Sequence, residues 1–166
     1  MNKTVLSIVA VLALACASAG YCIDTGGDEA TVNVSLATSP ISTLSVDNPS
    51  LTLEISLATA GEEPEPVSSS FMYNITNNEA GKKLVGQLGT AAPDGLTISG
   101  NAFVPPGSGG TGCGWVTLST TPVDMVTNIG PVCAQNVPLM IELSGSVAAG
   151  VQNASTTFTM TLTSSQ

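Results

Sequence analysis

Apolar and polar residues alternate with period two over much of this chain. Residues 31–36 (TVNVSL) put Val32, Val34 and Leu36 on one face and Thr31, Asn33 and Ser35 on the other, the pattern of a half-buried strand. Pro40 punctuates the run. Residues 41–46 read as extended, and Asp47-Asn48-Pro49 as a turn. Residues 51–57 (LTLEISL) carry the cleanest alternation, with four aliphatics facing one way. An acidic, proline-rich loop at 61–66 follows, too charged for a regular element. The alternation resumes through Phe71, Tyr73 and Ile75 and ends at Asn77-Asn78. Strand character returns at 84–88, 96–98, 115–118, 139–143 and 157–163. The last of these sets Phe158, Met160 and Leu162 against a ladder of threonines. Residues 105–114 form a glycine-rich loop.

One segment departs from period two. Thr120-Thr121-Pro122-Val123-Asp124 places a capping hydroxyl before a first-turn proline and an acid, which predicts a helix start. Gly130 and Pro131 would stop it after two turns. Seven to nine short strands at this spacing, rich in threonine and valine, predict an all-β sandwich of antiparallel sheets with one short helix.

The first residues predict something other than fold. Lys3, the apolar run 5–14 and the small residues Ala17-Ser18-Ala19 have the form of a signal peptide cut after Ala19, and the apolar run is too short to span a bilayer. A lipoprotein cut before Cys16 fits poorly, because the pattern wants a branched aliphatic first and a small residue second, and Ala13-Leu14-Ala15 has them the other way round. The expected organisation is a signal peptide over 1–19, a lead and first strand over 20–40, and a sandwich domain over 41–166. Asp24, Asp28 and Glu29 around Gly26-Gly27 lack the spacing of a calcium loop and read as solvated linker.

Charge then narrows the function. The chain has 3 lysines and arginines together, 12 acids and no histidine; the three cations are Lys3, Lys82 and Lys83. Without the leader, two lysines face twelve acids, which repels nucleic acid and anionic lipid. Histidine is the usual proton shuttle near neutral pH and arginine the preferred grip on phosphate or carboxylate. Their absence removes most solution chemistry. Glu54 and Glu142 lie on outward strand positions rather than in a cleft, where a glycosidase pair would need to sit. No base stands ready to activate a serine or cysteine, and the cysteines are too few for a zinc centre without histidine. No enzymatic activity and no cofactor or metal are therefore expected.

Cys113 and Cys133 bracket the predicted helix at a spacing that suits a disulfide, worth roughly 3 kcal/mol for a loop of that length. Cys22 is left over as a free thiol or an intermolecular link, although a bridge from Cys22 to one of the others stays open. Trp115, two residues from Cys113 and on the same strand face, is expected to pack against that bridge. The triplets at Asn33, Asn74 and Asn153 match the glycosylation acceptor but arise readily in threonine-rich strands.

The strand at 31–36 has two possible uses. It can pair at home as a first strand, or add itself to an open sheet edge of a neighbouring subunit, with main-chain hydrogen bonds giving affinity and Val32, Val34 and Leu36 filling pockets. The order of that strand before a proline, the stretch NNEAGKKLV at 77–85, LSTT at 118–121 and the terminus FTMTLT from Phe158 together resemble the major pilins of the colonisation-factor class. Those are immunoglobulin-like subunits of chaperone–usher fibres, in which each subunit's N-terminal strand completes the next. The resemblance implies Val32, Val34 and Leu36 as donor residues, copies of the same chain as partners, a periplasmic chaperone and an outer-membrane usher, and an extracellular filament or cell surface as location. The three mature cysteines depart from it. The alternative reading is a monomeric secreted binding module, such as a carbohydrate binder built on Trp115 and the 105–114 loop; a third is a small hydrolase using two acids.

Overall fold

A computed structural model describes residues 32–165. The predicted signal peptide, the lead with Cys22, and Thr31 lie outside the described residues. The chain divides into two units, Met1–Ala37 and Thr38–Gln166, and the second holds all the strands described here.

These are β1 (Ser42–Val46), β2 (Val67–Asn77), β3 (Lys82–Leu88), β4 (Leu96–Ala102), β5 (Thr111–Gly112), β6 (Val116–Thr117), β7 (Val123–Ile129), β8 (Val132–Gly145) and β9 (Phe158–Ser164). One sheet has the order β1-β2-β8-β4-β6, the other β5-β7-β3-β9, and every pairing is antiparallel. From β2 onward each strand lies in the opposite sheet from the one before it. The expected β-sandwich is the observed fold.

Period two explains the core. On β2 the inward residues Phe71, Tyr73, Ile75 and Asn77 are buried while their neighbours are not. They meet Ala134, Val137, Leu139 and Ile141 of β8 within the sheet, and Leu84, Leu88, Met125 and Ile129 from the opposite sheet. Phe71 and Phe158 pack edge to face between the sheets, ring centroids 6.3 Å apart. A bulge opposite Asn74 shifts the β2–β8 register; Asn136 there takes the left-handed conformation (φ 55°), and its N–H donates to Asn74 Oδ1 at 2.9 Å.

The predicted helix is replaced by β7. Met125, Val126 and Ile129 are its buried residues, a spacing that imitates one face of a helix. The cause is a break in the β3–β7 ladder: register shifts fall between Lys82 and Leu84 and between Leu84 and Val85, and Asn128 sits at φ 54°. Bulged strands turn successive side chains to the same face. Long-range pairing with β3 and β5 thus overrides a local Thr-Pro-Val-Asp signal worth about 1 kcal/mol. The one helical piece among the described residues is a 3-10 turn at Val147–Ala149.

Residues 51–57 correct a second expectation. Leu53 packs against the core and Ile55 is half-buried, as their alternation requires. They nevertheless join no ladder, and the only main-chain hydrogen bond they make among the described residues is Leu57 O accepting from Glu65 N at 3.0 Å.

Tyr73 is fully buried, and its hydroxyl donates to Phe103 O at 2.5 Å. Burial holds the phenol well above its ordinary range. A group whose folded pKa is raised contributes stability that is intact below the unfolded pKa, about 10 for tyrosine, and is lost as pH rises above it. Melts between pH 9 and 12 are expected to show stability falling by up to about 1.4 kcal/mol per pH unit above pH 10 from this group. Tyr73→Phe should remove that part of the slope; an unchanged slope would refute the assignment.

Candidate functional site: an undefended strand edge

A two-layer sandwich has four sheet edges, and each is a row of unpaired N–H and C=O groups open to another strand. Here β5 and β6 are two residues long each. The chain passes between them in three residues, with Gly114 at φ 71°, and so stitches that side of the two sheets together. On the other side the edges are β1 and β9, which lie beside each other.

β1 is five residues long and bounded in sequence by Pro40 and Pro49. β9 differs. It is seven residues of Phe-Thr-Met-Thr-Leu-Thr-Ser, with no proline, no charge, and an unbroken register against β3 from Leu88↔Phe158 to Lys82↔Ser164. None of the usual protections of an edge is present: bulge, inward charge, proline or brevity. Its apolar residues are also incompletely covered. Phe158, Met160 and Leu162 pack on the core yet stay half-exposed, whereas the equivalent positions on β3, Leu84 and Leu88, are buried.

Phe158 is seated by a glycine. A Cβ at Gly86 would stand 2.6 Å from Met125 Sδ and 2.9 Å from Phe158 Cε2, so the absent side chain is what leaves room for the Phe158 ring and the Met125 thioether against β3. The unpaired backbone of residues 51–57, which also face the core through Leu53, adds a second stretch of main chain without partners among the described residues.

The sequence-predicted donor residues lie in residues 32–40, which have no regular secondary structure. Val32 and Val34 are 72% exposed and Leu36 91%. No strand therefore forms over residues 32–36 in this structure, and three alternating aliphatics face solvent.

The cysteine expectation is corrected. Cys113 and Cys133 are free, exposed thiols. Cys133 sits opposite Thr76 in one sheet, while the Cys113 N–H donates to Met125 O in the other, at 2.8 Å. Met125 lies four residues before the end of β7, about 13 Å along the strand, so the β7–β8 turn does not bring the two thiols together. Trp115 consequently has no bridge to pack on and is 45% exposed. The 105–114 loop is tied down instead, with Pro105 and Ser108 buried and Gly130 N–H donating to Ser108 O at 2.9 Å.

Both described lysines are engaged. Lys82 meets Glu79 at 2.9 Å and Lys83 meets Asp124 at 3.0 Å; the hydrogen bond from Lys82 holds the Glu79 carboxyl below its ordinary range. Among the described residues no three of His, Cys, Asp and Glu gather as metal ligands would, and no helix is long and apolar enough to cross a membrane. Of the surface depressions, one of about 550 Å³ lies over the outer face of β3, β7 and β9, open and lined by threonines, Gln87 and the Lys83–Asp124 pair.

No protein-family model matches the chain, and neither does any curated protein. Among solved structures, a chain from a chaperone–usher pilus studied for the basis of rod uncoiling is similar to this one at 13% identity and a TM-score of 0.40, covering 88% of this chain and 100% of that chain.

Proposed function

We propose that this protein is a structural subunit of an extracellular filament, assembled by donor-strand exchange between copies of itself. One observation carries the reading: the same chain holds an undefended, half-covered edge strand, β9, and a solvent-facing alternation at Val32, Val34 and Leu36. A strand laid along β9 would extend the four-stranded sheet to five and cover Phe158, Met160 and Leu162. Its other edge would be free to meet the unpaired main chain of residues 51–57. Main-chain hydrogen bonds supply affinity and the alternate side chains supply register. Burial of three aliphatics contributes roughly 1.5–3 kcal/mol each.

In this reading the signal peptide exports the chain, the immunoglobulin-like sandwich is the passive body of the fibre, and a periplasmic chaperone and outer-membrane usher protect and pass on the open edge. The chain needs no cofactor and performs no catalysis. Negative-stain microscopy of the native surface should show fibres, and unboiled gels a ladder of multimers. A mature chain that remains a stable monomer with no ladder overturns the proposal.

The exposure of Trp115 favours a second reading, a carbohydrate-binding module, because an exposed indole offers a flat apolar face for a sugar ring. On that reading glycan binding by the isolated chain should fall at least about tenfold in Trp115→Ala, a loss of 1.4 kcal/mol. Absence of glycan binding in the unaltered chain excludes it.

A further inference from the structure

We infer that Asn78 is a positioning residue that clamps the root of the N-terminal segment to the domain and thereby stiffens each joint of the filament. The inference rests on the donor-strand reading above.

β2 ends at Asn77, where its ladder with β1 begins at Ser42↔Asn77. The next pair, Ile41 and Asn78, is only half an ordinary one, because the Ile41 N–H goes to the Asn78 side chain and not to its main-chain carbonyl. Asn78 continues the ladder by other means. Its backbone N–H donates to Ile41 O at 3.1 Å. Its side-chain Oδ1 accepts from the Ile41 N–H at 2.7 Å, and its Nδ2 donates to Ser39 O at 2.9 Å. The amide side chain therefore reaches around the proline and ties down residues on both sides of it. Pro40 fixes its own φ, and a residue that precedes proline is kept out of the helical region, so the backbone from Ser39 to Ile41 has little freedom left.

The clamp is itself anchored. The Asn77 side chain is buried, donates from Nδ2 to Glu79 O at 2.6 Å and Gly130 O at 3.0 Å, and accepts from Ser42 Oγ at 3.2 Å. Ser42 Oγ also reaches Glu79 Oε2 at 3.3 Å, and Glu79 pairs with Lys82. The start of β1, the end of β2 and the β7–β8 turn are thus held as one knot. Between Leu36, the last donor residue, and Ser39, the first clamped one, stand only Ala37 and Thr38. The three Cα steps from Leu36 to Ser39 span at most about 11 Å. A joint with so short a free segment and a fixed root transmits orientation from one subunit to the next.

The test compares assembled fibres of the unaltered full chain, Asn78→Ala and Asn78→Asp. In Asn78→Ala the Ile41 amide should exchange at least about tenfold faster, the multimer ladder should persist, and the fibre persistence length should shorten about twofold. Asn78→Asp keeps the acceptor for Ile41 N–H and loses the donor to Ser39 O, so it should fall between the two. Pro40→Gly loosens the same root without touching a hydrogen bond and should also shorten the persistence length, which keeps the test open if Asn78→Ala fails to fold. Persistence equal to that of the unaltered chain, with Ile41 protection lost, overturns the clamp and leaves donor-strand assembly standing. Unchanged Ile41 protection in Asn78→Ala overturns it as well. Failure of the unaltered chain to form any ladder instead removes the donor-strand reading.

Discussion

Val34→Asp is expected to abolish chain-to-chain assembly while leaving the subunit folded. Val34 is the middle of the three alternating aliphatics, and it is 72% exposed in the isolated chain. A surface change of this kind ordinarily shifts stability by no more than about 0.5 kcal/mol. Within an acceptor edge the same position would face apolar residues. The substitution then forfeits roughly 1.5–3 kcal/mol of aliphatic burial and adds several kcal/mol for desolvating a carboxylate with no cation beside it. Both described lysines already hold acids of their own, Glu79 and Asp124, so neither is free to pair with the newcomer. At 1.4 kcal/mol per decade, the joint should weaken by roughly three orders of magnitude or more. The measurement is the multimer ladder together with negative-stain microscopy, with Val34→Ile as a control that keeps both. Fibres from Val34→Asp indistinguishable from those of the unaltered chain would show that residues 31–36 are not the donor.

Leu139→Ala is expected to do the reverse, destabilising the subunit while leaving the residues of the joint untouched. Leu139 is fully buried on β8, the central strand of the five-stranded sheet, opposite Phe71 on β2 and Ala102 on β4. Truncating a leucine in such a site removes transfer free energy and leaves a cavity, at a cost of about 3 kcal/mol. Total stabilities of about 5–15 kcal/mol make that a large fraction, and the melting temperature should fall by about 10 °C. Thermal and denaturant melts of the soluble chain check it. The denaturant slope should not change, because the same surface is exposed on unfolding. A shift below about 2 °C would mean that β8 is not the centre of the core.

Much of the fold was legible because period two is a local property. Phe71, Tyr73 and Ile75, Leu84 and Leu88, and Leu139 and Ile141 announce their strands by alternation, and all face the core. The β7 segment looks helical in sequence because its ladder breaks: register shifts and Asn128 at positive φ place Met125, Val126 and Ile129 inward, and nothing local marks a bulge. Residues 51–57 show the opposite case. Their alternation correctly indicates that Leu53 and Ile55 turn inward, but a ladder also needs a partner, and the partner is not encoded in the segment. Spacing along the chain does not show that Cys133 lies on β8 while Cys113 hydrogen-bonds to β7 in the other sheet, which is why no bridge forms for Trp115 to pack on.

By itself, then, the sequence determined the class of the protein and the chemistry it lacks: an all-β body, no histidine or arginine, and a period-two alternation at Val32, Val34 and Leu36. These follow from side-chain identity and spacing alone. Which strand would be an edge, that β9 would be the edge without protection, and that Asn78 would reach around Pro40 to Ser39 were decided by tertiary structure. The physical reason is that strand order depends on pairing between residues far apart in the chain. β3 lies between β7 and β9, whose ends are more than thirty residues from it in sequence, and no local pattern specifies which neighbour a strand will have or whether one of its sides will be left without any.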